Sequence, residues 1–375
     1  MKEPTMRLGS DLSALPPLAV AGRAAKVALE LESAACDALI VTKLENIRYL
    51  TGFTGSAAIL VVTPSATLLT TDGRYRDQSA DQLAAAGVDA EIVVGSGAVQ
   101  LDAIKLACSS ARAVGLEANN VTWSSVKRFT DVIGDKLVAT TGLVEGLRIV
   151  KDPGEQARIE VACAIADAAL THVKNRLTES PTETEFAAEL EYAMRERGGQ
   201  GPAFETIVAS GPNSAMPHAR PTDRVVQSGD LVVVDFGSMV DGYRSDMTRT
   251  FSVGEPSKEL AHLVEVVAIA QALGVAAVVP GATGAAVDGA ARASLTEAGY
   301  GEMFLHSTGH GVGLDIHEAP SVAASAADIL APGTVVTVEP GAYVAGRAGV
   351  RIEDTLLVTD SGCRPLTMST KDYIL

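Results

Sequence analysis

The segment VVVDFGSMVDGYRSDMTRT carries two acids in places where acids are costly. Asp235 closes a run of four apolar residues, Leu231 to Val234, that reads as a buried strand. Asp246 follows eleven residues later, on the return strand after Asp241-Gly242. An ionised carboxylate at the end of a buried strand is strongly destabilising unless it has a partner. No lysine lies nearby, so Arg244 and Arg249 are the candidates for an ion pair. The same arrangement recurs further on. Glu339 ends the apolar run of TVVTVEPGAYV, and Glu353 in GVRIEDTLLV stands fourteen residues beyond it. Four carboxylates in two matching hairpins are hard to account for as separate ion pairs. If the hairpins face each other across a pseudo-twofold, the acids converge, and two divalent cations would neutralise them.

Between the hairpins, HSTGHGVGLDIHEAP places His306, His310 and His317 within twelve residues. Gly309, Gly311 and Gly313 argue against a helical i, i+4 histidine pair and allow close backbone approach to a ligand. His218 lies between prolines in NSAMPHARP, which reads as an exposed loop, whereas His172 and His262 fall on helical segments and read as ordinary residues. Four carboxylates with one imidazole make an oxygen-rich donor set, suited to Mn²⁺, Co²⁺, Fe²⁺ or Zn²⁺ rather than to a thiolate-loving ion. Two such ions about 3.5–4 Å apart can activate water and polarise a carbonyl, the chemistry of two-metal hydrolases.

The elements that must hold these residues belong to the second part of a 375-residue chain, long enough for two domains. Residues 1–150 alternate β-rich runs (37–42, 57–63, 66–71, 90–94, 111–116) with helical spacing near 19–35, 74–87, 98–109 and 122–130, an α/β pattern. Asp152-Pro153-Gly154-Glu155 then reads as an N-cap, an N1 proline and a capping box that open the second domain, 151–375. A helix with Ile159, Ala162, Ala166, Ala169, Val173 and Leu177 on one stripe follows, and a second begins at Pro181-Thr182. Strands are expected at 206–210, 230–240 and 242–253, helices at about 257–278 and 283–298, and strands at 334–344 and 349–360. The order helix, helix, strands occurs twice, an approximate internal duplication with α+β character.

Composition narrows the rest. A net charge of −16 opposes phosphate backbones and anionic lipid, so neither nucleic acid nor membrane is expected as a partner. Cys36, Cys108, Cys163 and Cys363 are far apart, which excludes a zinc ribbon and argues against a disulfide scaffold. The N-terminus lacks the uninterrupted apolar segment of a signal peptide. The uncharged stretch Ala268 to Val287 is broken by Gly274, Pro280 and Gly281, so it reads as a buried helix, a turn and the next helix start. A cytoplasmic protein is expected.

VDFGSMVDGYRSDMTRT, HSTGHGVGLDIHE and VEPGAYVAGRAGVRIEDTLLV, in that order, closely resemble the proline-specific metallopeptidases, aminopeptidase P and prolidase. YLTGFTGSAAILVV and TDGRYRDQ resemble that family's N-terminal domain, though less tightly. The resemblance implies an α/β N-terminal domain of the creatinase/prolidase type and a pseudo-twofold α+β catalytic domain of the pita-bread fold. It makes Asp235, Asp246, His310, Glu339 and Glu353 the ligands of two divalent ions, manganese foremost with cobalt, zinc or iron as alternatives. Asp246 and Glu353 would bridge them. It gives His218 and His317 the task of hydrogen-bonding the scissile peptide, and Glu339 the proton that moves towards the leaving nitrogen. His306 and Arg351 would line the substrate pocket, although Arg351 is also placed to orient Glu353 or Asp354 by an ion pair. The substrates implied are short proline-containing peptides cut before proline, by a homodimer or larger assembly in which the first domain, or that of a second subunit, closes over one end of the peptide. Rival readings are methionine aminopeptidase, a creatinase-like amidinohydrolase, or a non-catalytic peptide-binding member of the fold.

Overall fold

The computed structural model describes Leu8 and residues 12–375. The chain divides into two compact units, Leu18–Arg148 and a larger one comprising Ile149–Leu375 with the described residues up to Pro17. Leu12 packs against an apolar core of the larger unit, and Pro16 O accepts a hydrogen bond from Arg158 Nη1 at 3.0 Å. The described residues ahead of Leu18 therefore group with the larger unit rather than with the α/β segment that follows them.

The smaller unit interleaves α1 (Arg23–Glu30), α2 (Leu44–Thr51), α3 (Arg76–Ala85), α4 (Gly97–Ala107), α5 (Trp123–Ile133) and α6 (Leu143–Arg148) with six strands. These are β1 (Ala38–Val41), β2 (Ala58–Val62), β3 (Thr67–Thr71), β4 (Glu91–Val94), β5 (Val114–Glu117) and β6 (Leu137–Thr140). They form one mixed sheet in the order β4-β3-β2-β1-β5-β6. Pro64-Ser65 turns β2 back onto β3, with Thr63 N donating to Ala66 O at 2.9 Å. Three elements lie beyond the sequence expectation: α2, α6 and β6. The last is an edge strand only partly covered, and α6 is six residues long, so neither fills a window in which periodicity stands out.

The larger unit opens with α7 (Pro153–Val173) and α8 (Glu183–Glu196). Both begin with capping boxes, the expected one of Asp152 with Glu155 and a second of Thr182 with Glu185, each joining side chain and backbone reciprocally. The stripe Ile159, Ala162, Ala166, Ala169, Val173 and Leu177 is buried. β7 (Ile207–Ser210), β8 (Leu231–Phe236), β9 (Met239–Val240), β10 (Tyr243–Arg244) and β11 (Met247–Ser252) follow. The second run comprises α9 (Lys258–Ala277), α10 (Gly284–Glu297), β12 (Gly309–Gly311), β13 (Glu318–Val322), β14 (Val335–Val338), β15 (Gly341–Val344), β16 (Ala348–Arg351), β17 (Asp354–Val358) and β18 (Cys363–Pro365). Among the described residues α9 is the one helix long and apolar enough to cross a membrane. Its Leu263, Val264, Val267 and Ala270 are buried in a core cluster, and a turn separates it from α10.

The duplication is visible in the sheets. β7-β8-β11 in the first run matches β12-β14-β17 in the second, and in each the long hairpin ends in a separate two-stranded tip, β9-β10 or β15-β16. The two runs meet where β11 lies beside β16 and β17. Glu353 N donates to Thr248 O at 3.1 Å, Thr355 Oγ1 to Asp246 O at 2.7 Å, and Thr250 Oγ1 to Arg351 O at 2.8 Å. Threonine suits this seam because it keeps a β-branched shape while its hydroxyl satisfies a carbonyl of the other run. The centre of the duplicated unit is thus the place where the return strands start.

Candidate metal centre

Each acid occupies the equivalent point of its hairpin. Asp235 lies near the end of β8, opposite Thr248, and Asp246 directly precedes β11. Glu339 directly follows β14 and Glu353 directly precedes β17. Gly237 makes the first turn this tight: a Cβ there would stand 1.9 Å from Ser245 O. His310 enters on β12, a strand rather than a helix, and Gly309 lets that strand lie against β14, since a Cβ would meet Thr337 O at 2.1 Å.

The five residues converge. One ligand atom each from Asp246, His310 and Glu353 lies within 4.8 Å of the others. His310 Nε2 stands 3.5 Å from Asp246 Oδ2 and 3.3 Å from Glu339 Oε1. The two acids at the return strands are buried, with Glu353 only 1% exposed and Asp246 4%. Burial, together with the charges of the neighbouring acids, pushes the carboxyls of Asp246 and Glu353 well above their ordinary range. Asp235 is also raised, because burial and the charge of Glu339 outweigh the attraction of Arg351. Glu339 moves the other way: burial opposes its charge, but His310 beside it holds the carboxyl below its ordinary value.

The unmet bonding of these groups fits a cation pair. Asp235 Oδ1 and Glu353 Oε1 are buried oxygens with no hydrogen-bond partner among the described residues. A buried acceptor left in this state is destabilising, and a metal ion satisfies it. His310 Nδ1 stands 3.0 Å from Gly311 O, a carbonyl that only accepts, so Nδ1 carries the proton. Nε2 faces the acids, whose charge and hydrogen bonding raise the pKa of the ring despite its burial; release of the Nε2 proton would present a lone pair to a metal ion, with the other nitrogen fixed by the backbone.

The arginines differ from the sequence expectation. Neither Arg244 nor Arg249 partners Asp235 or Asp246. Arg244 donates to Leu314 O and Ala203 O, and Arg249 pairs with Asp354 at 2.8 Å. Asp235 is instead paired with Arg351 across the seam, at 2.5 Å. Arg351 is buried and its donors are engaged, with Thr248 Oγ1 at 3.1 Å, Pro217 O at 3.1 Å and Tyr343 Oη at 2.8 Å. It orients Asp235 rather than Glu353 or Asp354. Sequence spacing hides this contact because the two residues are 116 positions apart.

The centre opens into a cleft of about 530 Å³ that His218, His306, His317 and Arg351 line together with the five converging residues. His317 packs edge-on against His310, ring centroids 4.4 Å apart, and His218 is exposed on a turn. Glu318, the next residue, forms a buried pair with Lys151 at 2.7 Å. His306 lines the cleft with both ring nitrogens held, Nδ1 by Ser307 O and Nε2 by Tyr343 Oη, each at 2.8 Å. Tyr343, which escaped sequence reading, therefore links His306 to Arg351. Its one sequence signal is its place four residues after Glu339. His172 and His262 are exposed on α7 and α9, away from the cleft.

Comparison with known proteins agrees with this arrangement. Residues 157–360 match the model of metallopeptidase family M24, and residues 23–150 that of the creatinase/prolidase N-terminal domain. An Xaa-Pro dipeptidase of Pyrococcus horikoshii is 37% identical over 341 residues, 90% of this chain and 94% of the relative. The structure of an Xaa-Pro dipeptidase from Bacillus anthracis superposes with a TM-score of 0.90 at 38% identity, covering 94% of this chain and 99% of that one. That of an X-Pro aminopeptidase from Thermotoga maritima superposes with a TM-score of 0.82 at 36% identity, covering 92% and 99%. The fold is therefore a creatinase/prolidase-type N-terminal domain followed by a pita-bread catalytic domain, and the chain belongs to metallopeptidase family M24.

Proposed function

We propose that this chain hydrolyses the peptide bond preceding proline in short peptides, with two divalent cations, manganese foremost, held by Asp235, Asp246, His310, Glu339 and Glu353. The observation that carries this reading is the pair of orphaned buried oxygens, Asp235 Oδ1 and Glu353 Oε1, in a cleft where Asp246, His310 and Glu353 cluster and Asp235 and Glu339 stand beside them. A bound cation pair supplies Lewis acidity, which lowers the pKa of water and polarises the carbonyl to be attacked. Glu339, which lines the cleft beside His310, is the group suited to carry a proton towards the leaving proline nitrogen. His218 and His317 line the cleft and donate hydrogen bonds where negative charge gathers on the scissile carbonyl oxygen. Burial lowers the pKa of His317, which keeps the ring neutral at physiological pH and its N–H a hydrogen-bond donor. Arg351 holds Asp235 in place, and His306 shapes the cleft wall through Tyr343.

A proline imide has no N–H, so selection rests on ring shape and on fixing the peptide ends. Xaa-Pro dipeptidase and Xaa-Pro aminopeptidase activity differ in the room left beyond proline, and one side-by-side assay separates them. The Mn²⁺-loaded protein is given Ala-Pro and Ala-Pro-Gly: turnover confined to the dipeptide makes it a dipeptidase, and good turnover of the tripeptide an aminopeptidase. Turnover of neither, with Ala-Ala or Met-Ala cleaved instead, overturns the proline assignment. The same reading gives a cytoplasmic homodimer. All four cysteines are free thiols, in keeping with a reducing compartment.

A further inference from the structure

Two buried acids take no part in the centre and yet close on the loops that lead into its cleft. Glu183, the first residue of α8, is fully buried. Its Oε1 accepts from Ser210 N at 2.6 Å and Ser210 Oγ at 2.7 Å. Its Oε2 accepts from Thr222 N at 3.0 Å and Thr222 Oγ1 at 2.6 Å. Asn213 Nδ2 reaches both oxygens at 3.1 Å. Ser210 ends β7 and Thr222 stands twelve residues on; the segment between them carries His218. One carboxylate thus fixes both ends of the loop.

The second run repeats the device. Asp288, in the second turn of α10, is also fully buried. Its Oδ1 accepts from Thr308 N at 3.2 Å and Thr308 Oγ1 at 2.8 Å. Arg292 grips the same carboxylate with two bonds, at 2.8 and 2.9 Å, and donates onward to His306 O at 2.8 Å and Phe304 O at 3.3 Å. The segment held here carries His306. Both helices are second in their pair and both start after a threonine N-cap; Glu183 lies in the first turn, where the helix dipole favours negative charge, and Asp288 one turn further on. A buried carboxylate satisfied by loop donors adds little stability over a well-packed apolar side chain, but it fixes one arrangement of what it binds.

We infer that Glu183 and Asp288 are equivalent positioning residues of the two repeats: Glu183 sets the loop of His218, and Asp288, through Arg292, sets the loop of His306. This rests on the proposed role of those histidines in the cleft, and each acid acts on its own histidine.

Crossed double-mutant cycles test it. Glu183→Gln keeps the volume but turns an N–H towards Ser210 or Thr222, so the loop must shift. With saturating Mn²⁺ and Ala-Pro, Glu183→Gln is expected to lower kcat/KM about tenfold or more, since small misplacements near the chemistry are costly. Added to His218→Ala it should change kcat/KM by less than about twofold, whereas added to His306→Ala it should keep its full effect. Asp288→Asn should mirror this, coupled to His306→Ala and not to His218→Ala. In the metal-free protein the imidazole C–H NMR resonance of His218 should move in Glu183→Gln and that of His306 in Asp288→Asn, whether or not the protein is a proline peptidase. Additive losses, equal coupling to both histidines, or unmoved resonances overturn the inference while leaving the peptidase reading intact. Wild-type turnover in His218→Ala would remove its premise as well. Where Glu183→Gln or Asp288→Asn does not fold, Thr222→Val and Arg292→Lys enter the same cycles.

Discussion

Glu117 in the smaller unit and Glu353 in the larger one share a setting: both are acids at an end of a buried strand, 8% and 1% exposed. Their surroundings are opposite. Glu117 Oε2 accepts from Thr42 N at 2.6 Å and Lys43 N at 2.8 Å, and Oε1 from Asn46 Nδ2 at 2.6 Å. Asn46 is itself fixed by Arg148 Nη1 at 2.7 Å. Burial still pushes the Glu117 carboxyl up, but both of its oxygens are answered by protein donors. Glu353 has Thr248 Oγ1 at 2.7 Å on one oxygen and no hydrogen-bond partner among the described residues on the other. An acid that ends an apolar strand is therefore no sign of a metal by itself. The sign is an acid whose fold withholds donors, and a second hairpin that does the same.

Breaking that contrast at its strongest point should give the largest effect. Glu353→Ala is expected to lose bound metal and to lower kcat by about 10³-fold or more while the protein stays folded; normal turnover would contradict the metal role. His317→Ala should lower kcat about 10²-fold, the size found when a donor to a developing oxyanion is removed, with metal content unchanged. An unchanged kcat would reduce His317 to packing. The pH dependence of stability sharpens the comparison further. Because Asp246 and Glu353 are raised, the folded metal-free protein holds protons that the unfolded chain has released. Their contribution is complete below the ordinary carboxylate range and is lost as pH rises through the raised values. The Tm of the metal-free protein should thus fall as pH rises above that range, and saturating Mn²⁺ should cancel the fall, since the deprotonated acids bind the ion. Parallel Tm curves with and without Mn²⁺ would contradict this. The smallest effect is expected at Glu117→Gln: a loss of about 1–3 kcal/mol in denaturant unfolding, from a donor turned against the backbone N–H groups, with kcat and metal content unchanged.

Much of this was legible in the chain because the hairpins are local. The β8 and β14 runs are apolar, the acids stand at their ends, and capping boxes mark where α7 and α8 begin. The duplicated order of elements gave the pseudo-twofold, and with it the convergence. What escaped depends on contacts across the seam. The partner of Asp235 is Arg351 from the other hairpin, not the nearby Arg244 or Arg249, because each nearby arginine points away to a carbonyl or to Asp354. Glu183 and Asp288 escaped for the same reason: on a helix an acid near the N-terminus looks like an ordinary dipole partner, and nothing local shows which loop it grips. β12 and β13 are short and glycine- or proline-bearing, so periodicity could not find the strand that carries His310.

The central claim is that donor-starved acids are held together by a cation pair. Elemental analysis of the Mn²⁺-saturated, desalted protein measures it directly, beside the same protein carrying Glu353→Ala and Glu117→Gln. The expected result is two ions per chain in wild type and in Glu117→Gln, and fewer than one in Glu353→Ala. A wild-type chain that retains less than one ion, or a Glu353→Ala chain that retains two, would contradict it.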